Sequence, residues 1–142
     1  MTLALLLVIA ITGCAAASRT PVFLDAPAGP VRPFSPAVRA NGFIFLAGQL
    51  GTDSTGGVIA GGIQSETRQA MMNIRSILQR AGSSLDRVVK CTVFLADMRE
   101  WSTMNEVYVT FFPSGRFPAR TAAGASGLAL NARVEIECIA AE

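Results

Sequence analysis

Apolar residues recur at two different periods along this chain, and each change of period marks a new element. In "AVRANGFIFLAGQL" (37–50), two short apolar runs flank Asn41-Gly42, a pair that tolerates the positive φ of a tight turn, and predict a β-hairpin. From Ile63 to Ala81 the step lengthens to three and four residues. Ile63, Thr67, Ala70, Met71, Ile74, Leu78 and Ala81 fall on one helical face, with Glu66, Arg68, Arg75, Gln79 and Arg80 on the other side and Gly82 as the stop. "VVKCTVFLA" (88–96) predicts a strand with Val89, Cys91, Val93 and Leu95 on one face. Asp97, with Glu100 three residues on, has capping-box spacing and opens a second helix carrying Trp101, Met104, Tyr108 and Phe111 along one side, ending near Pro113. "PSGRFPAR" reads as a loop leading into "TAAGASGLAL". In the last strand Ala132, Val134, Ile136 and Cys138 alternate with Arg133, Glu135 and Glu137. The order β-β-α-β-α-β-β is that of an α+β sandwich, one sheet with two helices on one face.

Two stretches stand outside this pattern. "LALLLVIAI" (3–11) is too short to span a bilayer but matches the core of an export signal, and small residues follow it. "ITGC" resembles a bacterial lipobox with Cys14 as the lipidated residue, although Met1-Thr2 supplies no basic n-region. A signal cut after Ala17, or an extension with no targeting role, fits as well. Residues 1–17 are therefore read as a signal or lipoprotein leader, 18–33 as a Pro/Gly-bearing linker, and 34–142 as the folded domain. A working leader places the protein in the envelope or outside the cell, touching membrane only through a lipid; an inert one leaves it in the cytoplasm. "GTDSTGGVIAGG" (51–62) is glycine-rich but lacks the Lys-Ser/Thr ending of a phosphate loop, so its glycines read as turns.

Composition narrows the chemistry. With 142 residues and 51% hydrophobic content, one domain with a true core is expected. A net charge of +2 without a basic cluster argues against a nucleic-acid partner. The absence of histidine removes Ser-His and Cys-His nucleophiles and imidazole metal sites, and Cys14, Cys91 and Cys138 have no zinc-cluster spacing. No metal site is expected from this composition. Cys91 and Cys138 fall in phase with the core, as buried thiols or, after export, as a bridge. Arg120, set between Pro118-Ala119 and small residues, is either a solvated charge or a fork for a carboxylate. Glu135 either belongs to the wet face of its strand or passes protons from a partly desolvated pocket. Asn105 either binds a polar group of a ligand or ties down a loop.

Several separate stretches share one resemblance. They are "PFSPAVRANGFIFLAGQL", "TRQAMMNIRSILQRAGSSLDRVVKCTVFLADM", "MNEVYVTFF", "FPART" and "RVEIECIAA". Together they are similar to the RidA/YjgF family, the reactive-intermediate (enamine/imine) deaminases, also known as L-PSP endoribonucleases. The likeness covers roughly residues 30–142. It implies a chorismate-mutase-like α+β fold, a homotrimer with ligand clefts between subunits, and specific roles. Arg120 matches the arginine that grips the substrate carboxylate, Glu135 the glutamate associated with water and proton transfer, and Asn105 an asparagine lining the pocket. Gly48, in "AGQ", matches backbone that approaches the ligand. Phe34 stands where many members carry tyrosine, Ala47 where some carry serine and Ala122 where some carry cysteine, so polar contacts at the rim are reduced. The implied reaction is hydrolysis of a 2-imino acid to a 2-oxo acid and ammonium without a cofactor. The alternatives are a non-catalytic trimer that binds small carboxylates or client proteins, and an endoribonuclease.

Overall fold

A computed structural model describes residues 20–26 and 32–142; the lipobox-like Cys14 and the rest of the leader lie outside the described residues. The strands are β1 (Val22–Phe23), β2 (Ala37–Ala40), β3 (Phe43–Leu46), β4 (Gln49–Leu50), β5 (Val88–Leu95), β6 (Ala119–Gly124) and β7 (Val134–Ala141). Two helices, α1 (Gly62–Arg80) and α2 (Trp101–Tyr108), complete the fold. The strands form one sheet in the order β1-β2-β3-β7-β5-β6, with β4 also on β7. All pairings are antiparallel except β5 with β6, which is parallel. The expected α+β architecture is therefore present. Within the stretch read as linker, Val22–Phe23 pair with Val38–Arg39 and add a short edge strand.

The local signals work as elementary physics requires. Asn41 (φ 51°) and Gly42 (φ 81°) make the β2–β3 turn, both in the left-handed region that this turn demands. Gly82 (φ 76°) ends α1, and the Ser83 N–H reaches back to the Leu78 carbonyl at 2.8 Å. The core lies between the sheet and the helices: Ile74, Leu78 and Met71 of α1 and Met104 of α2 pack on Val93, Leu95, Val134 and Ile136.

Several expectations need correction. Val89 does not share the face of Cys91: a bulge between Val88 and Lys90 turns Val88 inward and leaves Val89 exposed. Trp101 is exposed rather than part of the α2 core stripe, whose buried residues are Met104, Val107 and Tyr108. Glu66 is not on the wet side of α1. It is buried, and its carboxylate accepts the Arg133 N–H at 2.7 Å, tying α1 to the start of β7. Asp97 caps a 3-10 turn (Met98–Glu100) ahead of α2 by accepting the Arg99 N–H, and that bond and the Arg99 guanidinium hold its carboxyl at about 2. Glu100 does not reciprocate as a capping box would, because it accepts from Arg133 Nη1 at 2.6 Å. Finally, Ala119–Gly124 is a strand, so Arg120 stands within the sheet and not in a loop.

Cys91 and Cys138 face one another across β5 and β7 and are joined by a disulfide, with their Cα atoms 4.1 Å apart. Among the described residues no helix is long and apolar enough to cross a membrane.

Candidate functional site

Strand alternation decides which side chains can meet. In β5, Cys91, Val93 and Leu95 point to the helices, and their parallel partners in β6 are Arg120, Ala122 and Gly124. Parallel partners share a face. Arg120 therefore projects toward the helix layer, where its guanidinium carbon lies 4.7 Å from the centre of the Tyr108 ring on α2. A planar cation over an aromatic face is attracted by the ring quadrupole, so Tyr108 both supports and orients the fork. Tyr108 is itself fixed by a tilted contact with Phe112, with ring centres 5.0 Å apart.

The surroundings of Arg120 are polar but unsatisfied. Among the described residues Arg120 makes no salt bridge. The Tyr108 hydroxyl and Asn105 Oδ1 are both buried without a hydrogen-bond partner among the described residues. Asn105 precedes Tyr108 by three residues on α2 and so shares its side of the helix. Burial pushes the Tyr108 phenol up to about 12, against the opposite pull of Arg120. Tyr108 thus stays neutral at physiological pH and meets Arg120 through its ring. In the sequence it stands on one side of the second helix with Trp101, Met104 and Phe111, within "MNEVYVTFF".

Glu135 lies on the other face of the sheet. Its neighbours Val134 and Ile136 are buried against the helices, so alternation turns Glu135 to the side that no helix covers. There it pairs across β5 with Phe94 and across β4 with Leu50. Gly48 sits in the interruption between β3 and β4, where the pairing with β7 slips from Phe45↔Ile139 to Gln49↔Ile136. A Cβ added at Gly48 would overlap the Glu135 carboxylate and come within 2.8 Å of its Cδ, so only glycine leaves this carboxyl its place. A cavity of about 310 Å³ opens here, lined by Gly48, Phe34, Arg32, Gln49 and Leu130 among others.

Of the residues named from the sequence, the structure brings Arg120 and Asn105 to the helix-covered side. It brings Gly48, Phe34 and Glu135 to the opposite side or its rim. Within one chain these two groups of candidate residues lie on different faces of the sheet.

Comparison with known proteins gives a consistent result. The profile of a family described as Endoribonuclease L-PSP matches residues 24–142. The 2-iminobutanoate/2-iminopropanoate deaminase of Mus musculus is 44% identical over 118 residues, covering 82% of this chain and 86% of that one. A RutC family protein of Pyrococcus horikoshii is 42% identical over 120 residues, covering 84% and 94%. Among solved structures, Rid family protein YyfA from Yersinia pestis superposes with a TM-score of 0.81 at 32% identity, covering 87% of this chain and all of that one. E. coli TdcF with bound serine gives 0.73 at 29% identity, over 80% and 91%.

Proposed function

Because the chain belongs to the Endoribonuclease L-PSP family, which is the RidA/YjgF family of reactive-intermediate deaminases, we propose that it hydrolyses 2-imino acids and their enamine tautomers to 2-oxo acids and ammonium. The observation that carries this reading is Arg120, a guanidinium propped on a buried ring with no salt bridge among the described residues. Relatives that are 42–45% identical bear the name of this activity, which supports the same conclusion.

The two groups of candidate residues, read as half-sites, require a second copy. We infer a homotrimer in which the Arg120, Asn105 and Tyr108 edge of one subunit abuts the Gly48 and Glu135 edge of the next. The uncovered sheet face supports such packing: Phe43, Phe45 and Val89 are each more than 40% exposed on it. Large exposed apolar groups on one face are what a subunit contact buries.

In the composite cleft Arg120 takes the α-carboxylate through paired N–H donors. This places the C=N carbon beside Gly48, whose missing Cβ leaves the Glu135 carboxylate its place. Glu135 orients a water for attack on that carbon and relays its proton to nitrogen. The protonated imine is already electrophilic, so most of the acceleration comes from positioning. Atoms balance: R–C(=NH2+)–COO− plus H2O gives R–CO–COO− plus NH4+.

The test is decay of freshly generated 2-iminopropanoate. Arg120→Ala should lower kcat/KM by at least about 100-fold while the fold is kept, and Arg120→Lys should not rescue it. Glu135→Gln should impair kcat more than binding of a 2-oxo acid. Mixing unfolded Arg120→Ala and Glu135→Gln chains and refolding them together should restore about a quarter of the wild-type clefts, since each cleft draws on two subunits. Full activity of Arg120→Ala would remove the arginine from the mechanism, and no recovery on mixing would rule out the shared cleft.

A further inference from the structure

The cavity beside Gly48 continues into a second one that the reaction above does not use. The second, of about 170 Å³, shares Arg32, Phe34, Gln49 and Thr52 with the first and runs along α1 past Asn73 to Arg80. Arg32 and Arg80 are the only charged side chains lining either cavity, and no carboxylate lines them among the described residues.

Two amide side chains in these walls are already engaged. Asn73 Nδ2 donates to the carbonyls of Leu50 and Thr52, each at 3.0 Å, and Asn73 Oδ1 accepts from Gln69 at 2.9 Å. Gln49 Nε2 donates to the carbonyls of Ala47 and Gly48, each at 3.0 Å. The guanidiniums are not neutralised in this way. Arg80 Nη2 donates to the Asp25 carbonyl at 2.5 Å, which anchors the side chain and leaves its charge unpaired. Among the described residues neither Arg32 nor Arg80 enters a salt bridge. Two cations on one small cavity, with the Asn73 and Gln49 amides turned to the backbone and to Gln69, select for an anionic group. The cavity volume suits a carboxylate and its methylene arm.

Resting on the deaminase reading, we propose that the preferred substrates are acidic 2-imino acids, whose side-chain carboxylate enters the Arg32–Arg80 cavity. The α-carboxylate goes to Arg120 of the adjoining subunit and the C=N carbon to Gly48 and Glu135. The distal carboxylate, one or two methylenes away, passes Phe34 to the arginine pair. Hydrolysis releases the corresponding 2-oxo dicarboxylate and ammonium. Such imines arise from two-electron oxidation of the α C–N bond of acidic amino acids, so an oxidase or dehydrogenase of that class is the reaction that must supply this site.

The experiment compares kcat/KM for 2-imino dicarboxylates, made in situ by oxidation of aspartate and glutamate, with that for 2-iminopropanoate. Wild type should favour a dicarboxylate by roughly tenfold or more, a typical worth of a charge-assisted contact. Arg32→Ala and Arg80→Ala should each erode that ratio through KM, and Arg80→Lys should retain part of it. A ratio near one in wild type, or a ratio insensitive to both substitutions, overturns the proposal while hydrolysis of 2-iminopropanoate upholds the deaminase reading. If no imino acid is hydrolysed, that reading fails, and calorimetry with succinate against inorganic phosphate decides the anion site alone. Succinate binding that weakens in both variants and is not displaced by phosphate supports it; binding unchanged in the variants, or equal for phosphate, overturns it.

Discussion

The two faces of the sheet obey different rules. On the helix side, side chains from β5 and β7 are buried to within a few per cent by α1 and α2, and Arg120 is locked into this layer through Tyr108. On the other side, Phe43, Phe45 and Glu135 face outward with no described helix above them. A single chain thus completes one face and leaves the other unfinished. In the proposed mechanism the chemistry is split along the same line: the carboxylate grip falls to the finished face and the proton-handling carboxyl to the unfinished one.

That contrast can be broken deliberately. The largest effect should come from charging the open face. Phe45→Lys, opposite Ile139 in β7, should give monomers in sedimentation and leave almost no deaminase activity, while circular dichroism shows the fold intact. Retained activity in the monomer would place the whole site in one chain. Next, Gly48→Ala should cost about 100-fold in kcat with oligomeric state unchanged, because its methyl displaces the Glu135 carboxylate. A smaller effect is expected on the finished face. Tyr108→Leu should raise KM about tenfold by loosening Arg120, whereas Tyr108→Phe, which keeps the ring, should stay near wild type. Tyr108 is the sole tyrosine, so absorbance reads it directly. With its value raised from 10.0 to about 12, little tyrosinate should form at pH 10.5, and its contribution to stability should persist below pH 10 and fade as pH rises through 12.

The sequence was most legible where structure is locally determined. Asn41-Gly42 and Gly82 specify backbone angles that few other residues adopt, and the three- and four-residue steps of α1 repeat often enough to average out exceptions. Elements that exist only through distant partners were hidden. Ala119–Gly124 has small residues and no alternation, and becomes a strand because β5 offers a parallel edge. Glu66 looks solvent-bound until the Arg133 amide, 67 positions away, is brought to it. The same limitation governs the site. The face of Glu135 could be read from its own strand, but that of Arg120 could not while its segment passed for a loop. Their placement on opposite faces therefore emerged only with the β5–β6 register, and Tyr108 gained a role only once Arg120 was seen above it.

The bond between Cys91 and Cys138 also sets the covalent topology of the molecule. It closes a ring, 47 positions around, that contains Asn105, Tyr108, Arg120 and Glu135. Gly48, Arg32 and Arg80 hang outside it. In the chain-entropy account, a loop of this size makes unfolding less favourable by about 4 kcal/mol. A protease cutting in the exposed 113–117 loop would open the ring without releasing either piece, so the nicked protein would run as one band until reductant is added. Reduction of the bond would open the ring and remove that entropic support. The stability of the arginine-bearing half of the molecule is thereby made to depend on the redox state of the compartment around it.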